Sequence, residues 1–191
     1  MIVIAFEGGD RAGKSTQCQM LLERLAKQPG LRVSHRRYPN RQHPHLGPLI
    51  NDYLAQRINL PDTAASLLLA ASLFEEAFEI DDQEIYLYDR YKASCTAYAV
   101  ARGMPHEQAA LLTKSKPDPH LTIYLRLPVE QASARAGFGQ ERFDRQDFQA
   151  KVVSTLDRLA DSSSWMTVDA SLPVEQIAIL IWNRVSELIK S

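Results

Sequence analysis

At 191 residues, 45% hydrophobic and 24% charged, the chain has the size and apolar share of one globular domain (1–191) with a sizeable core. A formal net charge of −1 gives no electrostatic ground for nucleic-acid or anionic-membrane binding, so neither is expected as a partner. Cys18 and Cys95 are too far apart for a disulfide framework, no histidine has zinc-ligand spacing, and no apolar run nears the ~20 residues of a membrane span; the expected setting is cytoplasmic.

Taken in chain order, residues 2–7 predict a β-branched strand that breaks into Gly8-Gly9-Asp10-Arg11-Ala12-Gly13-Lys14-Ser15-Thr16. Gly8, four residues, then Gly13-Lys14-Ser15 fits G-x-x-x-x-G-K-[ST], with a strand before it and an amphipathic helix (14–27) after it. Such a P-loop points its backbone N–H groups and a helix N-terminus at phosphate oxygens; Lys14 suits β- and γ-phosphates, and the Ser15 hydroxyl suits Mg²⁺. A second strand over 31–38 leads to a polar loop with three prolines by residue 48, then a short helix carrying Leu49, Ile50, Tyr53 and Leu54. Asp62 is the predicted cap of a long helix over 63–79, apolar on nearly every side and therefore buried or in a subunit interface. A third strand ends at Asp89; helices follow over 91–102 and from Pro105 to about Ser115. The fourth strand spans His120 to Leu127, Pro128 opens a further helix, and 136–144 interrupts the periodicity as a short lid. The last elements are a helix from about Asp147 to Ala160, a strand from Trp165 to Val168, and a helix from Pro173 to Lys190. Five strands alternating with helices predict an α/β fold: a three-layer α/β/α domain with a five-stranded parallel sheet, ligands binding at the strands' carboxyl ends.

An apolar strand ending in Asp89 places a carboxylate where it can hold Mg²⁺ directly or through water. The planar fork of Arg90 suits a second phosphate, that of an acceptor nucleotide, and Arg41 in the proline-rich loop is another candidate.

Four stretches carry a family resemblance. Residues 6–17 resemble the P-loop of the thymidylate kinases, with Asp10-Arg11 as in the eukaryotic-type members. Arg37-Tyr38-Pro39-Asn40-Arg41 resembles R-F-P-x-R, Tyr88-Asp89-Arg90-Tyr91 resembles V-D-R-Y, and Phe138 through Phe143 is similar to F-G-x-E-R-Y; Trp165 through Ala170 is similar to W-x-x-V-D-A. The resemblance implies a nucleoside-monophosphate kinase fold, ATP and Mg²⁺ as cofactors, dTMP or another nucleoside monophosphate as acceptor, and a homodimer. By position it implies a donor site formed by Gly8, Gly9, Ala12, Gly13, Lys14, Ser15 and Thr16, with Arg135 along the ATP base and Arg142 in the lid. Asp10 is implied at the acceptor's 3′-hydroxyl and Arg11 at the transferring phosphoryl as an arginine finger; Arg41 and Arg90 hold the acceptor phosphate. Tyr38 (for phenylalanine), Ser94, Tyr98 and Phe143 (for tyrosine) are implied around the acceptor.

Within the long helix the family reads L-L-F-S-A-N-R, whereas this chain has Leu69 and Leu73 in place of the aromatic platform and the base-reading arginine. An apolar wall of this kind discriminates only ~10–200-fold, so dUMP and other monophosphates are expected to be accepted within about that range unless Ser72 or Gln108 supplies a donor. The lack of N-K-x-D argues against a switch GTPase; a deoxynucleoside kinase and a non-catalytic nucleotide-binding protein are the alternatives.

Overall fold

Alternation along the strands sets the architecture. In β1 (Ile2–Glu7), Val3 and Ala5 enter one buried cluster while Ile4 and Phe6 enter another, because successive side chains point to opposite faces. The same division holds in β3 (Glu84–Asp89), with Tyr86 and Tyr88 on one face and Ile85 and Leu87 on the other, and in β4 (Leu121–Arg126). With β2 (Arg32–Arg37) and β5 (Trp165–Asp169) these form a five-stranded, all-parallel sheet in the order β2-β3-β1-β4-β5. The computed structural model describes residues 1–74, 84–135, 139–160 and 163–190.

Helices cover both faces. On one side lie α1 (Lys14–Leu25), α6 (Val129–Ser133) and α8 (Val174–Leu188), which bring Cys18, Leu21, Leu25, Ala132, Ile177, Ile181 and Val185 to the second cluster. The 3- and 4-residue spacing of those side chains is what an amphipathic helix on a sheet requires. On the other side lie α2 (Leu46–Leu54), α3 (Asp62–Ala71), α4 (Lys92–Ala101) and α7 (Gln146–Leu159), with α5 (His106–Leu111) packed on α4. Seven of the ten α4 residues are buried, and Ala, Ser, Thr and Cys predominate among them, letting α4 sit between the sheet, α3 and α7.

The predicted three-layer parallel fold is therefore what the chain forms, with local corrections. The third helix ends at Ala71 rather than 79, because Ser72, Leu73 and Phe74 each donate their N–H only three residues back and the Ser72 hydroxyl donates to Leu69 O. Residues 75–79 of that prediction, Phe78 included, lie outside the described residues, as do residues 136–138 of the predicted lid. Asp62 is the first helical residue and makes no capping hydrogen bond; Pro61 holds the cap position, leaving Asp62 to favour the helix by its charge at the N-terminus. The helix after Pro105 stops at Leu111, short of Ser115.

Register then sets the site. Phe6 pairs with Asp89, Arg37 with Asp89 and Glu7 with Tyr124, so the carboxyl ends of four strands meet at one level where the sheet order reverses around β1. Gly8 leaves β1 at φ +150, and a Cβ there would lie 2.6 Å from the Leu125 backbone oxygen. Gly8→Ala is expected to lower stability by roughly 1–3 kcal/mol, since the obstacle is backbone in a neighbouring strand. Gly13→Ala, where a Cβ meets nothing within 4 Å, should cost less; equal losses in urea unfolding would contradict this account.

Candidate active site

The loop from Gly8 to Gly13 wraps the start of α1, and its backbone strain is concentrated at functional positions. Arg11 (φ 62) and Arg90 (φ 69) are two of three non-glycine residues in the left-handed region among the described residues. Arg90 N donates to Phe6 O at 2.9 Å, which ties the turn after β3 to β1.

Inside this frame the charges interlock. Arg90 forms a close ion pair with Asp10 and donates from Nη1 to Gly8 O at 2.9 Å and to Ser94 Oγ at 3.3 Å. Asp10 also accepts from Tyr98 Oη at 3.0 Å and Gln149 Nε2 at 2.6 Å, while its N–H donates to Gln149 Oε1 at 3.0 Å. Behind Arg90, the fully buried Glu7 accepts from the N–H groups of Tyr91 (3.0 Å) and Ser94 (3.1 Å) and from the Ser94 hydroxyl. Burial pushes Glu7 up despite these donors. Burial also opposes the charge of Asp10, yet Arg90 and Lys14 hold its carboxyl below the usual range. Burial opposes the charge of Arg90 as well, and the negative groups around it raise its pKa all the same.

Lys14 Nζ donates to Gly9 O at 2.5 Å, and Ser15 Oγ donates to Asp89 Oδ2 at 2.6 Å. A cavity of about 520 Å³ opens over these groups. The P-loop gives it Asp10, Arg11, Gly13, Lys14, Ser15 and Thr16; the turn after β3 gives Asp89 and Arg90. The segment after β2 contributes Arg37, Tyr38, Pro39 and Arg41; Leu54, Leu69, Tyr98 and Phe143 add the apolar wall, and Arg135, Gln140, Glu141 and Asp144 complete it. Arg41 is held by Glu141 through two bonds of 2.7 and 2.5 Å, and Arg135 donates to Arg11 O at 2.7 Å and Ala170 O at 3.1 Å.

Most of the predicted site residues thus converge, and six, Gly8, Gly9, Ala12, Leu73, Ser94 and Arg142, do not line the cavity. Arg142 donates to Tyr53 O (2.7 Å), Ile58 O (2.6 Å) and Asn59 Oδ1 (3.0 Å), which anchors residues 139–145 to the end of α2 instead of facing a nucleotide. Ser94 is fully buried and serves Glu7 and Arg90. Leu73 is packed in the core, and Ala12 is buried against the second cluster. Gly8 and Gly9 act through their carbonyls, toward Arg90 and Lys14 respectively. Of the alternative base donors, Ser72 is spent on Leu69 O and Gln108 is exposed on α5. The sequence reading missed Gln149, Glu7, Glu141 and Arg37. A glutamine in an amphipathic helix gives no signal, whereas Arg37 and Glu141 lay within quoted motifs.

Lys14 has its pKa pushed down to about 7, mainly by burial and then by Arg90. Its unfolded value is about 10.4, so between roughly pH 7 and 10.4 the unfolded chain binds a proton that the native state does not. Unfolding takes up that proton, and the stability difference between wild type and Lys14→Met is expected to rise with pH across this window, by up to about 1.4 kcal/mol per pH unit. Urea unfolding of both proteins from pH 6 to 9 checks this; a pH-independent difference would contradict it.

Comparison with known proteins agrees with this geometry. The family model described as "Thymidylate kinase" matches residues 6–181. The thymidylate kinase of Dictyostelium discoideum is 30% identical over 194 residues, covering 100% of this chain and 85% of the relative. That of Schizosaccharomyces pombe is 31% identical, covering 97% and 92%, and that of Homo sapiens 31%, covering 92% and 85%. A solved structure of thymidylate kinase from Candida albicans, reported to reveal the origin of broad substrate specificity, superposes with a TM-score of 0.82 at 30% identity over 97% of this chain and 91% of that one. The agreement runs from the P-loop into the last helix, and this chain belongs to the thymidylate kinase family.

Proposed function

We propose that the chain transfers the γ-phosphoryl of ATP to dTMP, giving dTDP and ADP. The observation that best supports this is that Lys14, the Ser15–Asp89 pair, Arg90 and Arg41 all face one cavity at the carboxyl ends of the strands. An acceptor phosphate oxygen attacks the γ-phosphorus. The new O–P bond forms as the bond to the β,γ-bridging oxygen breaks, and ADP leaves with that electron pair.

Lys14 and Arg11 stabilise the charge spread over the transferring group, and Arg90 and Arg41 keep the attacking oxygen in line. Arg41 must exchange Glu141 for the acceptor phosphate. That pair is about 34% and 44% exposed, so it is worth at most about 1 kcal/mol and yields readily to a phosphate dianion. Asp10 receives the 3′-hydroxyl while Gln149 and Tyr98 fix its orientation. Arg135, braced between two backbone carbonyls, flanks the donor base. The hydroxyl of Ser15 and the carboxylate of Asp89 fit Mg²⁺, held directly or through water. When bound, Mg²⁺ neutralises charge on the β- and γ-oxygens.

A coupled ADP-release assay over nucleosides and nucleoside monophosphates tests the reading: dTMP should support turnover, dUMP should follow within ~10–200-fold, and thymidine should not react. Turnover on thymidine but not dTMP would overturn it. Arg11→Gly should reduce turnover by ~10³-fold or more. At φ 62 a glycine is accommodated without strain, so the loss reports chemistry and not folding; activity within a few-fold of wild type would move the finger role to Arg135.

The homodimer is also part of this proposal. Leu67 and Phe74 remain 54% and 45% exposed along α3 and its end, apolar surface that a second copy of the chain would cover. Sedimentation at roughly tens of micromolar should give a dimer; a monomer would refute it.

A further inference from the structure

Two polar atoms beside the acceptor part of the cavity are buried and have no hydrogen-bond partner of good geometry among the described residues: Arg102 Nη1 and the Tyr38 hydroxyl. The Tyr38 hydroxyl has only the Cys95 thiol as a weak partner and Arg102 Nη1 has none, and because buried polar groups are nearly always paired, an orphaned guanidinium nitrogen next to a ligand cavity calls for an explanation. Arg102 follows α4 directly, one helical turn beyond Tyr98. Its Nε and Nη2 both donate to Ser66 Oγ on α3, at 3.1 and 3.0 Å, and its guanidinium carbon lies 5.2 Å from the centroid of the Phe143 ring. Phe143 and Tyr38 both line the cavity, as does Leu69, one turn beyond Ser66. The positive charge of Arg102 acts on the phenols of Tyr38 and Tyr53 and on the Cys95 thiol. The elements expected to read the base are otherwise apolar, since Leu69 and Leu73 carry no polar side-chain atom and Ser72 is engaged with Leu69 O.

We propose that Arg102 Nη1, with the Tyr38 hydroxyl beside it, hydrogen-bonds the exocyclic carbonyl of the acceptor base and selects a 4-keto pyrimidine over its 4-amino counterpart. This rests on the nucleoside-monophosphate kinase reading of the site. A guanidinium donates and cannot accept, so it pairs with a carbonyl oxygen and leaves an exocyclic amino group unsatisfied. Arg102 does not itself line the cavity, and contact requires a rotamer change at Leu69 or Phe143, a common scale of adjustment on binding.

The test is kcat/KM for dTMP and dCMP, with KM for ATP, in wild type, Arg102→Met, Arg102→Lys and Tyr38→Phe. Arg102→Met should lower the dTMP:dCMP ratio by about tenfold or more, through a raised KM for dTMP, with KM for ATP within about twofold. Arg102→Lys, which keeps the charge but not the fork, should recover part of the ratio, and Tyr38→Phe should lower it less. Were Arg102 only a tie between α3 and α4, both acceptors would suffer in parallel; a ratio within about twofold of wild type in Arg102→Met overturns the proposal. If that variant does not fold, unchanged ratios in both Arg102→Lys and Tyr38→Phe overturn it equally. If wild type phosphorylates no monophosphate, the kinase reading fails separately, and calorimetric Kd values for dTMP and dCMP decide on base recognition by the same criterion.

Discussion

The half-buried pairing of Asp10 with Arg90 is the constraint on which the rest of the site depends. A guanidinium placed at the end of a parallel sheet loses its hydration, and leaving it uncompensated would cost several kcal/mol. Asp10 compensates it from the P-loop, and Glu7 and Ser94 compensate it from below. Such a pair adds little net stability, because desolvation offsets much of the attraction. What it supplies is position: Arg90 cannot move without disturbing Asp10, and Asp10 is clamped at three points by Arg90, Tyr98 and Gln149. Fixed charges of this kind lower a barrier because they need no reorganisation as negative charge shifts.

The fold was legible because both of its signals are local. Apolar strands with both faces buried and helices with 3- and 4-residue spacing leave their periods in the sequence, and a P-loop requires glycines at fixed intervals. The third helix was overextended since Ala and Leu favour helix up to residue 79, whereas a single Ser72 side chain competes for the backbone at Leu69 O. Gln149 and Arg102 were illegible for a different reason. Each is an ordinary residue, Gln149 within α7 and Arg102 just past α4; only the packing of α4 against α7 and α3 brings Gln149 to Asp10 and Arg102 to Ser66. The family resemblance implies a nucleotide-binding role for Arg142 in the lid, whereas its neighbour Glu141 reaches the cavity and Arg142 does not.

Residues 139–145 show how a weak contact and strong ones divide labour. Arg142 bonds two carbonyls of the α2 end and the Asn59 side chain, while its guanidinium stacks 4.2 Å from the Tyr53 ring centroid. That anchors the base of the segment. Its contact with the site, Glu141 on Arg41, is half-exposed and replaceable. A segment held firmly at its base and loosely at its tip can admit a phosphate without unfolding.

Burial depresses Lys14 first, and its repulsion by Arg90 across the P-loop adds to it. Phosphate charge entering the loop opposes both effects, so a bound nucleotide restores the ammonium and relieves an unfavourable feature of the free protein. The relief is shared, because Arg90 and Lys14 line one cavity, where the proposed reaction sets the acceptor phosphate on Arg90 and the donor phosphates on Lys14. Either substrate, by neutralising one cation, lowers the repulsion felt by the other. The like charge that each phosphate brings to its neighbour opposes this gain, and the cations between them decide how much of it survives. Two anions can then be held close enough to react because the protein placed its own like charges together first and used Asp10 and Asp89 to hold them there.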